Sequence, residues 1–327
     1  GASLVAGPSL KAALDLDWDD AIAQQHALTM ILEALQAVEH WLDTQPVPEE
    51  TTAHAVASLA VAQQVCAQDL TTTPEGTPTM RQGVAADRRI SVEDAEMRHG
   101  RKSRSLLVDG YKRHVLRDLD SRLIVAVGVT PANVPEASVT DAIETDLAAQ
   151  QCTLRELHID RAYLASTLVQ QRAADLAIFC KAWPVRPGPY FPKSAFQLDW
   201  ERHTFRCPGG ETMPFEPGGV LKFPAATCAQ CALRDRCTTS ASGRSVSIHP
   251  DEALLQELRE RQQTPQGRAQ LRERVAIEHA LAHVGHWQGR RARYRGVRKN
   301  VFDLRRCAVV HNLHVLMRLS PTERQAA

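Results

Sequence analysis

The sequence has no run of about 18 consecutive apolar residues, which excludes a predicted membrane-spanning helix. Its first residues, Gly-Ala-Ser-Leu-Val-Ala-Gly, have neither the basic flank nor the apolar stretch of a secretory signal, so a cytoplasmic protein is expected. No initiating Met is present, and no internal repeat. Bases are nearly missing from the front of the chain: residues 1–80 hold eleven acids and one base, Lys11. The whole chain has a formal net charge of only +1, so the remainder carries a positive excess of similar size. A basic body behind an acidic, Ala-rich front fits a nucleic-acid protein better than a metabolic enzyme, although a solvated helix face also accounts for the front. At 327 residues the chain can bury a large core in one to three domains.

The periodicity predicts an amphipathic helix over 19–43, with Leu28, Ile31, Leu32, Leu35, Val38 and Leu42 on one stripe, and an Ala-rich helix over 52–69. Thr-Thr-Thr-Pro-Glu-Gly-Thr-Pro-Thr (71–79) reads as a linker. Beyond it, three short strands are expected at 106–108, 111–117 and 122–129. A helix at 136–150, a strand at 154–159, a helix at 165–175 and a strand at 176–180 should follow. This order indicates an α/β fold with a sheet of mixed direction. Four segments result: an acidic helical segment with its linker (1–80), an α/β core (81–183), a Cys-rich stretch (184–250) and basic C-terminal helices (251–327).

Cys207, Cys228, Cys231 and Cys237 form C-x20-C-x2-C-x5-C in a Gly- and Pro-rich stretch. Four thiolates at such spacing can close a tetrahedral zinc site, and a stretch of this composition is not expected to build a core without a staple. Ordinary cysteines or a redox pair are the competing accounts. Cys66, Cys152, Cys180 and Cys307 stand among apolar neighbours and read as buried thiols.

Between residues 290 and 306 the chain carries Arg290, Arg291, Arg293, Arg295, Arg298, Lys299, Arg305 and Arg306 against one acid, Asp303. Trp287 and Tyr294 are interleaved. Guanidinium forks bind phosphates at two points, so a basic helix here should bind DNA in a salt-dependent, largely sequence-independent way. A solvated face paired with the acidic front is the alternative.

Two acids mark a candidate reaction centre. Asp160 ends the strand in Leu-Arg-Glu-Leu-His-Ile-Asp-Arg-Ala-Tyr (154–163), and Glu278 lies one turn beyond Arg274 in Arg-Glu-Arg-Val-Ala-Ile-Glu-His-Ala-Leu (272–281). Carboxylates distant in sequence suit a divalent-metal site for phosphodiester chemistry, because one cation activates the attacking oxygen and a second stabilises the leaving one. Taken alone, a strand-end Asp most often forms a turn or cap, and a helical Glu is most often solvated with an i,i+4 partner such as Arg274.

The spelling around these acids resembles the DDE-type transposases of bacterial insertion sequences, more narrowly the group named after insertion sequence eleven eighty-two. The resemblance rests on Asp-Arg-Ala-Tyr (160–163), Ser-Val-Glu-Asp-Ala-Glu-Met-Arg-His-Gly-Arg-Lys-Ser (91–103) and Asp-Gly-Tyr-Lys-Arg-His-Val (109–115). It extends to Val-Thr-Pro-Ala-Asn-Val (129–134), the Cys-rich stretch and Ala-Arg-Tyr-Arg-Gly-Val-Arg-Lys-Asn (292–300), and runs over most of 10–318. It implies an RNase H-like catalytic core using three acids with magnesium or manganese, and double-stranded DNA, as terminal inverted repeats and target, for partner. A homodimer on DNA and nucleoid association belong to the same expectation. By motif match Asp160 is the second acid and Glu278 the third; Tyr163 packs beside Asp160, and Arg274 contacts DNA or orients Glu278. The first acid has no match ahead of Trp18-Asp19-Asp20, so an N-terminally truncated transposase is expected, which leaves a DNA- and zinc-binding remnant as the alternative to an enzyme. Asp94 is the fallback third acid; Asp109 and Asp118 are weaker candidates, read as turn residues.

Overall fold

The computed structural model describes residues 9–17, 19–44, 48–101, 105–183 and 188–319. Trp18, Lys102 and Ser103, used in the motif comparison, lie outside the described residues. The chain divides into two compact units. The first comprises Gly1–Lys112, Pro131–Val134 and Ala292–Asn300; the second comprises Arg113–Thr130, Pro135–Arg291 and Val301–Ala327. Among the described residues no helix is long and apolar enough to cross a membrane.

The first unit opens with three helices, α1 (Leu10–Leu14), α2 (Ala21–Thr44) and α3 (Glu49–Asp69). Asp20 starts α2, its side chain accepting the Ile22 N–H at 2.9 Å. The helices α2 and α3 are joined by a hydrogen bond from Gln63 to Glu39 at 3.0 Å. The Thr/Pro stretch expected as a linker carries a hairpin, β1 (Leu70–Thr72) and β2 (Pro78–Met80), with Leu70 opposite Met80. Threonines on both arms favour extended backbone, and Pro74-Glu75-Gly76 closes the turn through Thr73 N–H to Thr77 C=O at 2.9 Å. Strand β3 (Arg98–Arg101), absent from the sequence-based expectation, pairs antiparallel with β4 (Leu107–Arg117). The two strands expected at 106–108 and 111–117 are thus one. Gly100 lets β3 approach the 131–134 segment: a Cβ there would stand 2.1 Å from the Ala132 carbonyl oxygen.

In the second unit β4 continues to a turn and returns as β5 (Ile124–Pro131). Asp118 makes this turn, accepting from Ser121 N–H at 2.7 Å and Ser121 Oγ at 2.6 Å. Then follow α4 (Thr140–Ala149), β6 (Glu156–Ile159), α5 (Thr167–Gln170) and β7 (Ala177–Cys180). The helix expected over 165–175 shrinks to one turn, capped by Ser166. Strands β6 and β7 are parallel, with Ile159 beside Cys180.

The Cys-rich stretch is not irregular. It forms β8 (Gln197–Asp199), β9 (Thr204–Arg206) and β10 (Thr212–Pro214) in one antiparallel sheet. A second sheet pairs β11 (Val220–Lys222) with β12 (Ser245–Ser247), with α6 (Ala225–Ala229) between them in sequence. Phe196, Phe205, Phe215, Phe223, Val246 and Ile248 pack into a core of their own. The expectation that this stretch needs a staple missed the phenylalanines, which are spaced too widely to show as an apolar run.

Four helices close the chain: α7 (Glu252–Arg261), α8 (Pro265–Glu273), α9 (Val275–Gln288) and α10 (Val297–Arg318). Asp251 caps α7, and Thr264 with Pro265 opens α8. Leu254, Leu255 and Leu258 of α7 cover the β6–β7 pair, packing with Leu157, Val169 and Ile178. The whole is a mixed α/β chain with several small sheets.

This packing is testable. Leu258 is 1% exposed, so Leu258→Ala should cost about 2–5 kcal/mol in urea unfolding through lost transfer energy and a cavity. Leu313→Ala, on the exposed side of α10, should change stability by less than about 0.5 kcal/mol.

Candidate functional site

Strand β6 ends at Asp160, which holds extended backbone before a 3-10 turn over Arg161–Tyr163. Open α/β sheets present their ligand-binding groups at the carboxyl ends of parallel strands, and Asp160 stands at such an end beside β7. Across from it, Arg274 occupies the junction where α8 stops and α9 starts. Its guanidinium donates to Asp160 Oδ2 at 2.7 Å and stands 4.0 Å from Glu278 Oε1. One cation therefore bridges the two acids named from the sequence, 118 positions apart. Both remain open to solvent, with side-chain exposures of 54% for Asp160 and 67% for Glu278. Partial burial raises the Asp160 pKa, but the Arg274 hydrogen bond and charge, with backbone N–H groups of Arg161 and Ala162, outweigh it and hold the carboxyl below its ordinary value. Glu278 lies in the first turn of α9, where the helix dipole favours an anion.

Behind Asp160 lies a polar relay that sequence reading missed. Tyr163 Oη meets His114 Nδ1 at 2.6 Å, and His114 Nε2 meets Thr130 Oγ1 at 3.0 Å. His114 is buried on β4 and Thr130 is buried on β5. The relay anchors the turn after Asp160 to two strands. Burial, together with the Glu136 and Asp160 charges, raises the Tyr163 pKa, so the phenol stays protonated. Cys180 is also neutral, its thiol pushed up to about 11 by burial and then by the Asp160 charge. The period-2 placement of His114 in Tyr-Lys-Arg-His-Val was the only available signal, and it does not separate a core histidine from a positioning one.

Asp94 belongs to the first unit and is 6% exposed. Its carboxylate accepts from Tyr111 Oη at 2.6 Å, Gly296 N–H at 3.1 Å and Glu96 N–H at 3.1 Å. Glu96 in turn accepts the Val297 N–H at 2.7 Å. Residues 91–97 thus grip the segment that opens α10. Gly296 sits at φ +81°, and a Cβ there would meet Glu96 Oε2 at 2.7 Å. Asp109 is a strand residue paired with His99 at 2.6 Å, not a turn former; Asp118 is the turn former expected.

The basic segment differs from the helix expected. Arg290, Arg291, Arg293 and Arg295 lie in a non-helical stretch, whereas Arg298, Lys299, Arg305 and Arg306 lie in α10; the first six are the DNA-contact candidates. All six are exposed. Arg295 pairs with Glu93. Arg298 and Lys299 occupy the first turn of α10, the positive end of its dipole, where an anionic partner would be favoured over a cation.

Cys207, Cys228, Cys231 and Cys237 line one cavity of about 710 Å³ as free thiols. Leu233 N–H points to Cys231 Sγ at 3.4 Å, and burial raises the Cys237 pKa. Among the described residues, no group of three or more His, Cys, Asp or Glu side chains is arranged to hold a metal ion. The expectation of zinc gains no support from this arrangement, and the phenylalanine core supplies the order that the metal was invoked to provide.

Residues 206–317 match the family model of the transposase DDE domain. The matched stretch is roughly a third of the chain; it holds Glu278, the four cysteines and the basic segment, and begins after Asp160. No curated protein and no solved structure matches the chain. The match supports a DDE-type transposase function with DNA as partner.

The carboxylates make stability depend on acidity. Asp87, Asp94, Asp160 and Glu252 all have folded-state pKa values below their ordinary ones. The unfolded chain then binds more protons in that window, so their contribution is complete above the ordinary carboxylate range and disappears as pH falls through the lowered values. Urea midpoints should therefore hold between pH 6 and 7 and drop steadily on going below about pH 4. Asp94→Ala, which removes the acceptor of the Tyr111 hydroxyl and one of the two acceptors of the Gly296 N–H, should lose about 1–3 kcal/mol at neutral pH and flatten that slope.

Proposed function

We propose that Asp160 and Glu278, bridged by Arg274, form the phosphoryl-transfer site of a DDE transposase that cleaves and joins double-stranded DNA at the ends of a mobile element. The observation that carries this reading is the single guanidinium between two exposed carboxylates at the carboxyl end of a parallel strand. DDE transposase domains generally use divalent metal ions. Two solvent-facing carboxylates fit a hard cation such as magnesium or manganese, which keeps water and phosphate oxygens for its other positions. The ion, when bound, supplies activation of the attacking oxygen and stabilisation of the leaving one. Asp160 and Glu278 would hold it, and Arg274, beside both acids, would donate its N–H groups to a phosphate of the bound strand. The relay Tyr163–His114–Thr130 keeps Asp160 in place.

The same reading places β3, β4, β5, β6 and β7 in an RNase H-like core and the chain in the group named after insertion sequence eleven eighty-two. Terminal inverted repeats are the substrate, and two copies act together on paired ends. The exposed cations of 290–299 bind the DNA backbone.

A second reading, DNA binding without cleavage, is favoured by one observation. Asp94, the third acid considered, has its carboxylate occupied by Tyr111 and Gly296, and no third acid is gathered with Asp160 and Glu278 among the described residues. A magnesium-dependent cleavage assay on duplexes ending in the terminal repeats separates the two. Under the enzyme reading, Asp160→Asn and Glu278→Gln each reduce cleavage by about a hundredfold or more, the scale of losing one group that stabilises transition-state charge, and leave duplex binding intact. Cleavage that survives both substitutions sinks the acid assignment; an unsubstituted chain that binds but never cleaves supports the second reading. In either case Arg291→Ala and Arg298→Ala should each lower the salt dependence of duplex binding by about one unit of slope.

A further inference from the structure

Along α9, from Ala276 and His279 to His283, the second unit contains a cavity of about 440 Å³ with no carboxylate in its lining. Arg117 and Arg122 reach it from the β4–β5 turn, His283 from α9, and His311, His314 and Arg318 from α10. Such a concentration of cations around one space is costly unless something offsets it. Asp118, in the turn itself, is the carboxylate that acts on Arg117.

The hydrogen bonds inside the cluster assign its protons. Trp287 Nε1 can only donate, and it donates to His283 Nε2 at 3.3 Å. The His283 ring proton therefore sits on Nδ1, which faces His311 Nδ1 at 2.9 Å. His311 accepts there, so its own proton sits on Nε2. That Nε2 is buried on a side chain only 7% exposed and makes no well-formed hydrogen bond, the Arg122 backbone being the acceptor that acts on it. A buried N–H donor so poorly paired, at the wall of a cavity lined with cations, has room for a better acceptor. Burial lowers the basicity of His311, and the positive charge of its neighbours lowers it further, partly offset by the Arg122 backbone. The same two causes act on His283.

From this geometry we infer that the cavity is a binding site for a phosphate group, held by His311 Nε2–H, His314 and the guanidinium groups of Arg117 and Arg318. A phosphate matches what the site offers, namely one fixed neutral donor and several charged ones converging on a single space. A divalent metal is disfavoured although three imidazoles are close together. The permanent charges of Arg117, Arg122 and Arg318 repel it, and no metal-holding group of three ligands is formed among the described residues. The proposal is independent of the roles given to Asp160 and Glu278. The phosphate can be a free or terminal one, or a phosphodiester of a nucleic-acid backbone.

The test uses the full chain at constant ionic strength. Inorganic phosphate replaces chloride while the melting temperature and the ³¹P line width are followed, and short duplexes with and without 5′-phosphates serve as competitors. Phosphate should raise the melting temperature saturably, and His314→Gln and Arg318→Gln, both accessible enough to substitute without opening the core, should each weaken binding about tenfold or more. Competition by an unphosphorylated duplex, lost in the variants, identifies a backbone phosphodiester as the ligand. Competition only by inorganic or 5′-terminal phosphate identifies a free or terminal one. The inference is overturned if phosphate stabilises no more than chloride, or stabilises the variants equally. It is also overturned if zinc or nickel, and not phosphate, gives the saturable stabilisation that His314→Gln removes.

Discussion

A buried carboxylate decides where the arginine-rich segment can lie. Asp94 takes the Tyr111 hydroxyl from β4 on one oxygen and the Gly296 N–H on the same oxygen, while its other oxygen closes its own turn through Glu96. Glu96 then accepts the first N–H of α10. A helix N-terminus exposes unsatisfied donors, and here an acid 201 positions earlier satisfies the first of them. The arginines before Gly296 are consequently presented from a tethered loop. The tether holds the backbone of that loop through Gly296 and Val297, and its arginine side chains are exposed.

The second unit applies a similar economy at the carboxyl end of β6. Asp160 cannot drift, since Arg274 holds its oxygen and Tyr163, three residues later, is tied through His114 to Thr130. Glu278 is set by helix geometry, one turn from Arg274. A rigid strand, a hydrogen-bonded turn and a helix junction thus bring two acids to one cation without either becoming buried.

Much of this was legible in the sequence. The periodicity of residues 19–43 and 52–69 corresponds to α2 and α3, and the alternation after residue 136 corresponds to α4, β6, α5 and β7. Asp160 and Glu278 were named from local spelling, and they share a partner in space. What could not be read was every feature made by distant residues. His114 is one polar residue in a strand until Tyr163 folds against it. Asp94 was the fallback third acid because its partners, Tyr111 on β4 and Gly296, 202 positions on, do not show in its local spelling. The Cys-rich stretch read as coreless because its phenylalanines, about ten residues apart, match neither a helical nor a strand period. The basic helix was misplaced because Arg is a good helix former, while Gly289 and Gly296, both at positive φ, end α9 and directly precede α10.

Arg274 also has a bearing on what it takes to load the cluster. It is a resident counter-ion standing between the two acids. An arriving dication would displace a monocation and would not enter an open double negative site. At the carboxylates themselves a single positive charge would be exchanged for a double one. The displaced guanidinium is at the same time freed at the rim, where it adds a positive charge facing whatever polyanion approaches. Loading and substrate attraction would then be two sides of one exchange, with a single side chain moving between them.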